Sequence, residues 1–182
     1  LIPLAVLCAL LLPDRRIKNS NVKNKIKRWY WCGVFDELYG SANETRYVND
    51  VVGVMNWLNG GELPKTIVDS YFNPMRLLML QSRRSAAYKG IMALIMKNHS
   101  RDFISGQEMD LVLYKAAGID IHHIFPKNYC KSRGYDYIKW DSIINKTPLS
   151  YSTNREIGGV APSEYLARIE KKKVEQTDLR DY

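Results

Sequence analysis

Apolar side chains recur at helical intervals through the first hundred residues, and only later do short β-branched stretches replace them. From residue 17 to about 39, Ile26, Trp29, Trp31, Phe35 and Leu38 follow one another while the basic residues cluster at the start. Apolar groups on more than one face predict a central helix. Val48, Val51, Val52, Met55 and Leu58 stand three and four apart and stop at Asn59-Gly60-Gly61, which predicts an amphipathic helix with a defined end. A linker containing Pro64 then leads to Asn73-Pro74, a capping residue followed by a first-turn residue. A long helix is expected from there to about Lys97, burying Ala87, Ile91, Leu94 and Ile95. Arg83, Arg84 and Lys89 fall on its other faces, where a solvated surface accounts for them more simply than nucleic-acid contact.

The texture changes at Arg101. Gly106, Gly118 and Gly134 punctuate short segments, and Ile119, Ile121 and Ile124, then Ile143 and Ile144, supply β-branched runs. Two strands are expected, at residues 119–125 and 142–150, joined by a long basic loop. Ser152-Thr153-Asn154 offers cap chemistry for a short helix beginning near Thr153, and a last helix runs through Pro162 to Leu166. The charged tail after it is expected to fray. The pattern as a whole predicts an α+β fold, predominantly helical, with a helical region at residues 1–100 and a small strand-loop-strand-helix unit at residues 101–182.

Composition narrows the class. With 182 residues, 46% apolar and 25% charged, the chain is globular and neither disordered, collagen-like nor mucin-like. Residues 1–13 are almost wholly apolar but too few to span a bilayer, and Asp14-Arg15-Arg16 follows where a signal peptide would need small residues. With no initiator Met and no apolar partner upstream of that stretch, the chain reads as the C-terminal fragment of a longer protein. Cys8, Cys32 and Cys130 are odd in number and widely spaced, which points to reduced thiols in a cytoplasmic protein. The formal charge is +8, and residues 127–155 hold six basic side chains against two acidic ones. A polyanion would be drawn there. Tyr129, Tyr135, Tyr137 and Trp140 interleave with these charges, and covering a small core is preferred over stacking on a nucleic acid.

Candidate chemistry gathers in Asp120-Ile121-His122-His123-Ile124-Phe125-Pro126. Neighbours in a strand point to opposite faces, so the two histidines cannot both pack in one core. On the dipeptide alone, a structural pair with one ring buried and one at the surface stays open. Downstream, DSIINKTPLSYSTNREIG sets Asn145 in the second expected strand and Asn154 at the following helix. The combination resembles the HNH, or ββα-metal, nuclease motif. That resemblance implies His122 as a metal ligand, His123 as general base, Asn145 as the brace of the catalytic loop and Asn154 as the second ligand.

The chemistry is coherent. Phosphodiester hydrolysis needs a base for water and a cation to neutralise charge on the phosphate and the departing 3′ oxygen. A neutral imidazole suits the first need near pH 7, and one nitrogen with one oxygen ligand leaves open positions on Mg²⁺, the expected ion, or on Mn²⁺. Asp120 is either an outer carboxylate or a turn residue, the latter preferred. Arg155, beside the second ligand, is the leading phosphate contact, with Lys127 and Lys146 as further DNA contacts. A structural zinc site is disfavoured, because no second pair of Cys or His ligands stands at finger spacing.

Over residues 17–166 the phrases KRWYWCGVFDELYG, RDFISG, IDIHHIFPK, SIINKTPLS and TNREIGGVAPSEYL are similar to the C-terminal part of GmrSD-type restriction proteins. The resemblance implies a metal-dependent DNA endonuclease in defence against foreign DNA. It also implies an N-terminal nucleotide-hydrolysing domain as partner, while the shortness of the apolar leading segment points to no membrane partner. The competing expectation is a catalytically silent DNA-binding or regulatory module of a larger nucleotide-dependent defence protein.

Overall fold

The computed structural model describes residues 1–40, 43–110 and 119–171. It is mostly helical with one two-stranded antiparallel sheet, the α+β class expected, and it divides into two compact units, Leu1–Asn73 and Pro74–Tyr182. The charged tail beyond residue 171 lies outside the described residues.

The first unit is helical. α1 (Ile2–Leu11) packs on α3 (Asn43–Leu58), and α2 (Ser20–Phe35) packs on α3 and the short α4 (Lys65–Val68). The Asn19 side chain starts α2 by accepting from the Asn21 and Val22 amides, satisfying two of the donors a helix start leaves open. The core is Leu7, Leu11, Ile26, Trp29, Val54 and Ile67, so the apolar leading segment is a packed helix. No described helix is long and apolar enough to cross a membrane.

The buried face of α3 differs from the expected one. Val48 and Val52 are each 63% exposed, whereas Val54 and Asp50 are buried with Val51 and Leu58 beside them. A polar residue sits in the middle of the packed stripe, which shifts any stripe counted from apolar residues alone. Asp50 is satisfied there by the hydroxyls of Tyr39 and Thr66, the latter at 2.5 Å.

In the second unit the single long helix is broken. α5 (Arg76–Met79) ends, Leu80 turns extended, and α6 (Ala86–Lys97) restarts where Ser85 accepts from the Tyr88 amide at 3.1 Å. The break frees carbonyls for the rest of the unit. Leu80 accepts from the Ile143 amide at 2.8 Å and Gln81 from Lys146 Nζ at 3.2 Å. β1 (Ile119–His123) and β2 (Lys146–Ser150) then pair antiparallel, from Ile119 opposite Ser150 to His123 opposite Lys146. The connection between them is largely helical, with α7 (Lys127–Ser132), α8 (Tyr137–Trp140) and a 3-10 turn at Ile143–Asn145. Asn145 therefore stands just before the second strand and not within it. α9 (Tyr151–Ile157) and α10 (Pro162–Lys171) complete the unit.

A two-stranded ribbon is not stable alone and must be covered. Ile121 packs with Ala87, Tyr88, Met92 and Met96 of α6 and with Ile143, while Leu149 on the other face packs with Ile157, Tyr165 and Ile169. This is why the compact unit begins at Pro74 and not near residue 101: α6 is one of the ribbon's two covers.

Candidate active site at the end of the ribbon

Strand alternation sorts the site. Asp120 and His122 share a face with their partners Leu149 and Thr147, whereas Ile121 and His123 share the opposite face with Pro148 and Lys146. The two histidines accordingly enter two different hydrogen-bonded clusters.

On the first face His122 is buried, and its Nδ1–H donates to Asn154 Oδ1 from α9. The Asn154 amide is oriented from behind, because its Nδ2 donates to Asp120 Oδ2 at 2.6 Å and a carboxylate oxygen can only accept. Asp120 is held in turn by the Ile121 amide, 2.8 Å from its Oδ1, and by Arg83, whose Nη1 lies 3.7 Å away. Arg83 also donates to the Ile121 carbonyl at 3.1 Å, so it braces β1 where a merely solvated face was expected. Asp120 is thus the acceptor that aims Asn154 at His122, a larger part than the turn residue preferred from sequence. Burial lowers the His122 pKa, outweighing the Asn154 bond that favours protonation, and His123 lowers it further. The nearby Asp120 charge opposes this, but the net direction favours the neutral ring, the form a metal ligand requires.

The donor types in this cluster are ones that divalent cations take. Among the described residues no group of three or more His, Cys, Asp and Glu gathers for a metal, so the donors are one imidazole and one amide oxygen with a carboxylate beside them. His122 Nε2 is buried with no partner among the described residues. A shift of the ring proton from Nδ1 to Nε2 would present the Nδ1 lone pair beside Asn154 Oδ1 without any change of charge.

On the second face His123 Nε2 lies 2.8 Å from Asp141 Oδ1, and the ring packs in a T-shaped arrangement with Trp140, ring centres 5.8 Å apart. Asp141 Oδ1 also faces Lys146 Nζ at 3.2 Å, and its Oδ2 accepts from the Tyr137 hydroxyl at 2.9 Å. Burial pushes this carboxyl up, but His123, Tyr137 and Lys146 together hold it below its ordinary value. Lys146, expected to reach DNA, is instead turned inward. Its side chain is 5% exposed and committed to Asp141, the Gln81 carbonyl and the face of Tyr88. Lys127 and Arg155 remain exposed, Arg155 lying over the Tyr151 ring at 4.8 Å.

Asn145 joins the two ends of the connection. Its Oδ1 accepts from the Phe125 amide at 2.8 Å, and its Nδ2 donates to the Phe125 and Trp140 carbonyls at 3.0 and 2.7 Å. Trp140 is buried while Tyr135 and Tyr137 are about half exposed, which divides the interleaved aromatics between core and surface. Sequence reasoning missed Asp141, and it missed Asp102, whose buried carboxylate ties a loop to the start of α9. Neither carries a local signal, since Asp141 lies 18 residues from His123 and Asp102 lies 51 from Thr153.

An uncharacterized protein of Methanocaldococcus jannaschii is 32% identical to the chain over 151 residues, which is 80% of this chain and 25% of that protein. The chain spans about a quarter of the length of the curated relative it matches. No family model matches the chain, and no solved structure matches it.

Proposed function

We infer that the second unit is a metal-dependent DNA endonuclease of the HNH type, within a restriction or defence protein resembling the GmrSD class. The observation that carries this reading is the meeting of His122 with Asn154 across 32 residues, beside His123, at the end of a strand-strand-helix unit. His122 and Asn154 would hold the cation, with Asp120 orienting the amide. A bound Mg²⁺ or Mn²⁺ would supply charge neutralisation at the phosphate and at the departing 3′ oxygen.

The chain's own residues supply the rest. His123 takes a proton from water as the water oxygen bonds to phosphorus, and the bond to the 3′ oxygen breaks, leaving 5′-phosphate and 3′-hydroxyl ends. Asn145 keeps Phe125 and Trp140, and hence the backbone flanking His123, in one arrangement. Exposed Lys127 and Arg155 attract the DNA backbone. A cytoplasmic location, compatible with three free thiols, and regulation by an N-terminal nucleotide-hydrolysing domain belong to the same proposal.

The silent DNA-binding or regulatory module remains the second reading, favoured by one observation: His122 and Asn154 already satisfy one another. Nicking of supercoiled plasmid with Mg²⁺ or Mn²⁺, against EDTA and His123→Ala controls, separates the two. Metal-dependent nicking that disappears in His123→Ala is the result expected of the nuclease. Equal traces of cutting by wild type and mutant would favour the silent module.

A further inference from the structure

We propose that Asp141 is the positioning residue of His123, fixing the imidazole as the Nε2–H tautomer so that Nδ1 is the atom that accepts the proton from water. This rests on the reading of His123 as the base, and it adds which nitrogen acts and what holds it.

Three side chains converge on one carboxylate. His123 Nε2 and Lys146 Nζ both meet Oδ1, at 2.8 and 3.2 Å, and the Tyr137 hydroxyl donates to Oδ2 at 2.9 Å. The strand register explains the meeting, because His123 and Lys146 are direct cross-strand partners on one face of the ribbon. Asp141 lies five positions before Lys146, at the C-cap of α8, and reaches both. The lysine is itself fixed by the Gln81 carbonyl at 3.2 Å and lies 5.4 Å from the centre of the Tyr88 ring.

These contacts keep Asp141 ionised. An ionised carboxylate has only lone pairs to offer, so the proton between it and the ring belongs to Nε2. In the neutral imidazole the other nitrogen must then be bare. The Trp140 ring, its centre 5.8 Å from that of the imidazole and inclined to it by 61°, gives the imidazole a second point of support. In the reaction the water proton passes to Nδ1, the water oxygen bonds to phosphorus, and the 3′ oxygen leaves with the electrons of the broken bond and takes a proton from solvent.

Substitutions at Asp141 separate shape from charge. In Asp141→Asn, Lys146 still demands an acceptor at Oδ1, the same oxygen that faces His123, and the amide nitrogen can turn to the Tyr137 hydroxyl oxygen. The Nε2–H tautomer should survive. In Asp141→Ala nothing holds the ring proton, and both tautomers should appear. The readout is long-range proton–nitrogen correlation of the ring in ¹⁵N-labelled full chain, in mildly alkaline buffer and without metal, which needs no catalysis.

Wild type and Asp141→Asn should show a protonated Nε2 and a bare Nδ1, while Asp141→Ala should show a mixture. Plasmid nicking should lose on the order of 10²-fold in kcat in Asp141→Ala with KM for DNA nearly unchanged, and about tenfold less than that in Asp141→Asn. A protonated Nδ1 in the wild type, or an unchanged ring pattern in Asp141→Ala, overturns the proposal. If Asp141→Ala does not fold, the wild-type and Asp141→Asn ring patterns decide it by the same criterion. A nuclease reading that fails, with His123→Ala cutting as well as wild type, is seen separately from the ring pattern.

Discussion

Asp102 offers the sharpest test of how this unit is held together. It is 2% exposed, yet its carboxylate accepts from five donors. Oδ1 takes the amides of Ile104 and Ser105 at 3.0 and 2.9 Å, the Ser105 hydroxyl at 3.1 Å and the Thr153 hydroxyl at 2.6 Å. Oδ2 takes the Ser150 amide at 2.8 Å. Ser150 ends β2 and caps α9, so this one side chain clamps the junction that leads into Asn154.

Asp102→Asn keeps an oxygen for the four Oδ1 donors but turns an NH₂ toward the Ser150 amide. One hydrogen bond to a charged acceptor is lost and two donors confront each other, a cost of about 2 to 3 kcal/mol. Asp102→Ala strands all five donors and should cost roughly 3 to 5 kcal/mol, a large part of a domain's ~5–15 kcal/mol. Urea unfolding followed by Trp140 fluorescence, in a chain whose other tryptophans are replaced by Phe, reads the second unit. Hydrogen exchange at the Ser150 amide reads the clamp directly.

The pH dependence has a definite sign. Burial pushes the Asp102 carboxyl up, but donation from Ser105, Thr153 and Ser150 outweighs it and the net shift is downward. A carboxyl lowered on folding contributes its full stability above the unfolded value of about 4 and loses it as pH falls through the lower folded value. Wild-type stability should therefore drop on acidification below about pH 4, and Asp102→Asn should lack that component of the drop. Stability of Asp102→Asn within about 0.5 kcal/mol of wild type, with the same acid slope, would refute the reasoning.

Two further substitutions probe the same unit. Asn145→Ala removes three hydrogen bonds and leaves the Phe125 amide and the Phe125 and Trp140 carbonyls without it, which predicts a loss of about 2 to 4 kcal/mol in denaturant unfolding. Gly158 has φ +61 and ψ −143 at the end of α9, and an added Cβ would meet only the Arg155 carbonyl oxygen at 3.9 Å. Gly158→Ala should thus cost about 1 to 3 kcal/mol through backbone strain alone, visible as a lowered thermal midpoint with no change in packing signals from Ile157.

By itself the sequence determined what depends on near neighbours: helices where apolar residues recur every three or four positions, a ribbon where β-branched residues appear, and a short helix carrying Asn154, although its cap is Ser150 and not the Ser152-Thr153-Asn154 run expected. It also determined that His122 and His123 part company, because alternation in a strand is a property of the backbone. Tertiary structure decided the rest. Asp50 sits in the buried stripe of α3 because Tyr39 and Thr66 come to meet it, which no count of apolar residues can reveal. The helix expected through residue 80 breaks because its carbonyls are needed by Ile143 and Lys146. Lys146, one basic residue among many in sequence, becomes an internal countercharge only when the ribbon register sets it opposite His123. Periodicity reports the path of the backbone, whereas the fate of a polar side chain depends on partners that packing brings from tens of residues away.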